Sequence, residues 1–170
     1  MAEFIRLNWK GATILMVTHD NKVAARCGRI LYLLDVCFKG EFSQAKLVRV
    51  LEGTVLDVAV DLRKGSKTFG RHVAVELSAE NNRQLMIPRG FGHGFSVLTP
   101  TAVFAYKCDY VYNKASEGGV RFDDPDLNID WKIKPEEAVL SEKDKLLPLL
   151  KYIECVKLRE PTDSLEMNLG

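Results

Sequence analysis

The sequence predicts an all-β domain, a sandwich or a barrel, over most of its 170 residues. Three observations carry that prediction. Apolar and polar residues alternate in short runs, the period of a half-buried strand. Turn signals such as RKGS, PRGFG and TPT separate the runs at short, regular spacing. From Lys46 to Tyr112 at least six such runs follow one another with no helical periodicity between them, which disfavours an alternating β-α architecture there.

The bulk composition narrows the function. A chain of this length fits one domain with a real core. Its net charge is +1, so nothing points to nucleic acid or an anionic membrane as partner. Cys27, Cys37, Cys108 and Cys155 lie far apart with no C-x-x-C pair. A zinc site and a disulfide framework are therefore both poorly supported, and the expected compartment is a reducing cytoplasm. The apolar run ATILMV is too short for a membrane span.

The first forty residues read differently from the rest. GATILMVTHD is an apolar strand, NKVAARCG reads as a short helix, and RILYLLD is a second apolar strand. That is an atypical N-terminal β-α-β-like segment. The composition shifts near Lys39–Ser43, giving an expected division into residues 1–42, a β domain over 43–155, and a polar tail over 156–170.

Next comes KLVRVLEG, leading into TVLDVAVDLRKGS. There Leu56, Val58, Val60 and Leu62 alternate with Asp57, Ala59 and Asp61, a half-buried strand closed by its turn. RHVAVELSAENN repeats the scheme with Val73, Val75 and Leu77 on one face. RQLMIP and HGFSVLT follow around PRGFG. His93 there stands between two glycines in an apolar run, the place of either a satisfied core histidine or a polar group lining a pocket.

In AVFAYKCDYVYN, Phe104, Tyr106, Cys108, Tyr110 and Tyr112 share a parity and so one face of a strand. Tyrosines on a strand commonly just pack a core; facing a barrel interior, these would bring phenols into it. Finally, SEKDKLLPLLKYIECVKL carries a helix-start signal at Ser141 with Asp144. It has an apolar side of Leu146, Leu147, Leu149, Leu150 and Ile153, and Pro148 limits how far the helix runs.

Residues 43 to about 150 resemble the dTDP-4-dehydrorhamnose 3,5-epimerase family. The matching words are QAKLVRVLEGTVLDVAVDLRKGS, TFGRHVAVELSAENNRQLMIPRGFGHGFSVL, YKCDYVYNKASEGGVRFDDPDLNIDW and LSEKDKLLPLL. The resemblance implies a cupin-type jelly roll (double-stranded β-helix) with a short C-terminal helical segment. It also implies a homodimer that uses no metal or organic cofactor and acts on a dTDP-sugar small molecule. The implied reaction inverts C3 and C5 of dTDP-4-keto-6-deoxyglucose. Both carbons flank a ketone, so inversion needs a base on one face, an acid on the other, and stabilisation of the enolate between them.

Carried over by position, the resemblance makes Tyr106 the proton donor. Asp144 becomes the carboxylate that orients a catalytic histidine. Lys46, His93, Glu117 and Lys143 become substrate contacts, and Tyr112 stacks on the thymine. One part is missing. The family's base lies in an R-G-L-H-x-Q segment, and here LLDVCFKGEFSQAKL puts Val36 or Cys37 at that place. The chain therefore reads either as an epimerase whose N-terminal part has been replaced, or as a non-catalytic cupin module that binds a deoxythymidine-sugar nucleotide.

Residues 11–35 resemble instead a C-terminal fragment of an ABC-transporter ATPase, with His19 in the switch position. The phosphate loop G-x-x-x-x-G-K-[ST] is absent, so ATP chemistry is not expected.

Overall fold

The structure is a computed structural model. It describes residues 43–153, apart from Tyr112, Glu117, 135–137, 139 and 141, together with strands 3–9, 12–18, 25–26, 31–36 and 156–157. Thirteen strands are described in chain order: β1 (Glu3–Trp9), β2 (Ala12–Thr18), β3 (Ala25–Arg26), β4 (Leu31–Val36), β5 (Lys46–Glu52), β6 (Thr54–Asp61), β7 (Arg63–Lys64), β8 (His72–Ser78), β9 (Gln84–Ile87), β10 (Phe91–Val97), β11 (Val103–Cys108), β12 (Gly118–Gly119) and β13 (Val156–Lys157). One short helix, α1, spans Glu142–Lys145.

Two antiparallel sheets build the body. One has the order β12-β4-β10-β6-β8 and the other β3-β11-β5-β9. The strands expected from alternation after Lys46 are all present. Between β5 and β6 the chain reverses at Gly53 alone, with φ +76°, where an added Cβ would stand 2.2 Å from the Thr101 carbonyl oxygen. Only glycine fits there.

The interior between the sheets holds Val48, Val50, Ile87 and Phe104 from one sheet and Val55, Ala59, Leu77, Phe95 and Val97 from the other. Strand β6 departs from the sequence reading. It is not half-buried, because both its faces are covered. Its apolar residues Leu56, Val58 and Val60, with Leu62 just past its end, face outward and are roofed by Val120, Leu127 and Trp131 from the segment after β12. Its other face, with Val55, Asp57 and Ala59, turns into the intersheet space.

The roofing segment is tied down by its own polar groups. Asp124, 2 % exposed, accepts the backbone N–H groups of Asp126 and Leu127 on Oδ1 and that of Leu150 on Oδ2. The Trp131 indole donates to the Phe122 carbonyl, and Ser96 donates to the Trp131 carbonyl. These contacts give FDDPDLNIDW a structural purpose: it closes the outer face of β6.

The N-terminal reading needs correction. Where a helix was expected within NKVAARCG, Ala25–Arg26 is a strand that pairs with Val103–Phe104 of β11. Long-range pairing along the edge of β11 overrides a weak local preference. β1 and β2 form an antiparallel hairpin, and β4 hydrogen-bonds between β10 and β12, so the described strands of this segment do not pair as a β-α-β unit. His19 lies outside the described residues, as does the junction at 37–42.

Candidate functional site

His93 sits on β10 and is 7 % exposed. Gly92 and Gly94 flank it on the same buried strand. Its neighbour across the sheet is Ala59, with Asp57 one pleat further along the same face of β6. That diagonal brings the Asp57 carboxylate to the ring: His93 Nε2 and Asp57 Oδ2 are 2.9 Å apart. Asp57 is fully buried, and its Oδ1 meets no hydrogen-bond donor among the described residues. His93 is thus neither a simple core filler nor isolated; it is half of a buried carboxylate–imidazole pair.

Aromatic rings connect this pair to the opposite sheet. Phe95 and Phe104 stack with centroids 4.3 Å apart, and the His93 ring lies 6.0 Å from Phe104. Tyr106, two residues along β11 from Phe104, tilts against it at 6.3 Å. Tyr106 packs on the intersheet core and is half-buried, as the shared parity of β11 expects. His93 and Tyr106 therefore project from opposite sheets onto one aromatic cluster.

Lys46 opens β5 and stands opposite Cys108 of β11, two positions from the Val48–Tyr106 pair. Burial pushes the Cys108 thiol above its ordinary pKa; the Lys46 charge opposes that and Asp109 adds to it. The strand ends at Cys108 because Asp109 turns to other work. Its carboxylate accepts the Ala45 backbone N–H at 2.8 Å and Arg89 Nη2 at 2.8 Å. Gln44 donates to the Tyr110 carbonyl, and the Arg89 guanidinium lies over the Tyr110 ring. This knot fixes where Lys46 enters the sheet. It also leaves Tyr110 exposed rather than inward.

The remaining sequence candidates are placed less fully. Asp144 is half-buried in α1, and the described carboxylate–imidazole pair is that of Asp57 with His93. Lys143 lies on the same helix. Tyr112 and Glu117 lie outside the described residues. Asp57 escaped the sequence reading because its strand looked half-exposed. A single carboxylate between Leu56 and Val58, on a strand buried on both sides, was the signal. Among the described residues no cluster of three metal-ligating side chains occurs. A concavity of about 220 Å³ in the roofing segment, lined by Phe122, Asp124, Asn128 and Trp131 among others, includes none of these site residues.

Comparison with known proteins bears on the whole arrangement. The family model described as dTDP-4-dehydrorhamnose 3,5-epimerase matches residues 33–152. A dTDP-4-dehydrorhamnose 3,5-epimerase of Sinorhizobium fredii is 47 % identical over 153 residues, covering 88 % of this chain and 76 % of that one. The enzyme of the same name from Methanothermobacter thermautotrophicus is 46 % identical over 109 residues, 64 % of this chain. The chain spans only 59 % of that relative's length. Among solved structures, a dTDP-6-deoxy-D-glucose-3,5-epimerase of Legionella pneumophila in complex with dTDP-4-keto-L-rhamnose superposes with a TM-score of 0.76 at 43 % identity. That match covers 82 % of this chain and 74 % of the other.

The expected ATPase fragment is not supported. A match covering 88 % of the chain cannot leave all of residues 1–35 outside it, and strands β2 to β4 join hairpin and sheet rather than a nucleotide-binding unit. The fold is the cupin jelly roll of these epimerases. The chain belongs to the dTDP-4-dehydrorhamnose 3,5-epimerase family.

Proposed function

We propose that the chain binds a deoxythymidine diphosphate 4-keto-6-deoxy sugar between its two sheets and exchanges the protons on C3 and C5. The observation that carries this reading is the approach of His93 and Tyr106 from opposite sheets onto the same aromatic cluster. Inversion at a carbon needs groups on both of its faces, and two facing sheets supply them. Tyr106 is the proton donor. Lys46 offers positive charge near the diphosphate or the enolate. Tyr112 stacks on the thymine, while Glu117, Lys143 and Asp144 complete the substrate contacts. The chain works in the cytoplasm as a homodimer, with residues 43–155 as the epimerase-like domain, to whose sheets β3 and β4 of the segment 1–42 add strands.

A second reading, a binding module without turnover, draws on one observation. The sequence has only His19, His72 and His93, and none falls on β4, at the place where the family resemblance puts the base. A base contributes about 10²–10⁴-fold to such reactions.

Titration calorimetry with dTDP, with GDP as control, and NMR of deuterium entry at C3 and C5 test both readings. The proposed function expects dTDP binding without GDP binding. It also expects deuterium entry about 10²–10⁴-fold slower than in a relative that has the base histidine. No binding of dTDP would remove the proposal; binding with no entry leaves the module.

A further inference from the structure

We propose that Arg89 is a positioning residue: it occupies the Asp109 carboxylate beside the start of β5, so that the Lys46 ammonium stays available to the negative charge of the substrate. The inference rests on the function just proposed and deepens it by naming what keeps the cation of that site in place.

Lys46 shares its strand face with Val48 and Val50, so its stem starts toward the space between the sheets. Its register partners are Cys108 on β11 and Ile87 on β9. Asp109 follows Cys108 directly, and Arg89 comes two residues after Ile87. A carboxylate and a guanidinium thus flank the lysine from its two neighbouring strands. The Cys108 thiol, raised chiefly by burial, also feels both the Lys46 cation and the Asp109 anion. Opposite charges that act on one thiol lie within reach of each other, and a lysine stem is flexible enough to close that gap.

The structure shows which cation the carboxylate takes. Asp109 Oδ2 accepts Arg89 Nη2 at 2.8 Å, and its Oδ1 accepts the Ala45 backbone N–H at 2.8 Å. Among the described residues Lys46 makes no ion pair. Arg89 is itself held for this contact. Its other Nη donates to the Ser43 carbonyl, and its guanidinium lies 5.8 Å from the centre of the Tyr110 ring. A planar fork fixed by two acceptors and a ring competes better for Asp109 than an ammonium on a mobile stem. With Arg89 removed, Asp109 would draw Lys46 toward itself and neutralise the charge that the substrate needs. An ion pair this exposed contributes little to stability, so its loss is read at the site rather than in the melting temperature.

The test is kcat/KM for deuterium entry at C3 and C5 by the full chain, with dTDP affinity measured alongside. Arg89→Ala frees the Asp109 charge and should lower one or both by about tenfold. Adding Asp109→Asn should then restore them to within about threefold of wild type, because asparagine keeps an oxygen for the Ala45 N–H and lacks the charge. Loss of a merely structural brace would be as great in R89A/D109N as in R89A. Arg89→Lys leaves a cation on Asp109 and should stay within about threefold of wild type. In a Lys46→Met background, R89A should change the remaining values less than about twofold. Arg121→Ala breaks an ion pair of the same kind, with an arginine 45 % exposed against 46 % for Arg89, and should change neither quantity.

Unchanged values in R89A overturn the inference, as does a double variant no better than R89A. A full loss on adding R89A to K46M would show Asp109 acting on the substrate directly, which overturns the role given to Lys46. If R89A does not fold, Arg89→Gln, which keeps a donor for the Ser43 carbonyl, is read in its place, with R89Q/D109N as its rescue. Failure of dTDP binding in the wild type, before any variant, overturns the function itself and with it the task assigned to Lys46.

Discussion

Asp61 ends β6 and organises the turn that follows it, so replacing it with asparagine has a calculable effect. Its Oδ1 accepts the Arg63 backbone N–H at 3.0 Å and Arg63 Nε at 2.8 Å. Its Oδ2 accepts Arg63 Nη2 at 2.8 Å and the hydroxyls of Ser66 and Thr68 at 2.6 Å each. Burial alone would raise the Asp61 pKa, but these donors outweigh it and hold the carboxyl well below its ordinary range. In Asp61→Asn the amide oxygen can keep one side of the network. The amide nitrogen then faces Arg63 Nη2, which cannot accept. Loss of one charge-assisted bond, with the hydroxyls forced to reorient, costs about 2–4 kcal/mol after allowing for the partial exposure of Arg63. For a chain of this size that lowers Tm by roughly 5–12 °C.

The pH dependence of that difference is the sharper test. A carboxyl depressed on folding stabilises the folded state above its unfolded pKa of about 3.9, and the contribution fades as pH falls toward the folded value. The stability gap between wild type and D61N should therefore be constant from pH 7 to 5 and shrink below about pH 4. Urea melts of both proteins across this range measure it. Equal midpoints at pH 7, or a gap undiminished at pH 2, would refute the reasoning.

Three further outcomes follow from the packing. Phe104→Ala should destabilise by about 3–5 kcal/mol in urea melts, because Phe104 is 2 % exposed and joins both sheets; a loss below about 1 kcal/mol would contradict its central place. Gly53→Ala should destabilise by more than about 1 kcal/mol, since both its φ and the nearby Thr101 oxygen oppose a side chain, and an unchanged Tm would count against that turn. Hydrogen exchange should be faster in Ile14–Val17 than in Val55–Val60. The β1–β2 hairpin is a two-stranded sheet of its own, whereas β6 is an interior strand of the five-stranded sheet, paired on both sides; equal protection would show that the hairpin is docked.

Much of the β body was legible because alternation survives wherever a strand has two unlike faces. Parity put Phe104 and Tyr106 on one face, which is the core-facing one, but it extended the same face to Tyr110, which lies beyond the end of β11 and is exposed. The same rule misled at β6. Alternation between Asp57 and Val58 says that the faces differ, not that one is wet, and only the distant roof of Val120, Leu127 and Trp131 reveals that both are buried. The partner of His93 was hidden for that reason. In the N-terminal part, the pairing of Ala25–Arg26 with β11 is a contact nearly eighty residues long in sequence, which no local window contains. At the other end Pro148 was a sound guide, for α1 is a single turn.

The most direct test of the central claim is proton NMR of dTDP-4-keto-6-deoxyglucose in D₂O with the unmodified chain. The account predicts slow loss of the H3 and H5 signals, suppressed by excess dTDP and about 10²–10⁴-fold slower than with a relative that has the R-G-L-H-x-Q histidine. Signals that stay intact while dTDP binds would contradict turnover. Loss as fast as the relative's would contradict the view that this chain works without its family's base.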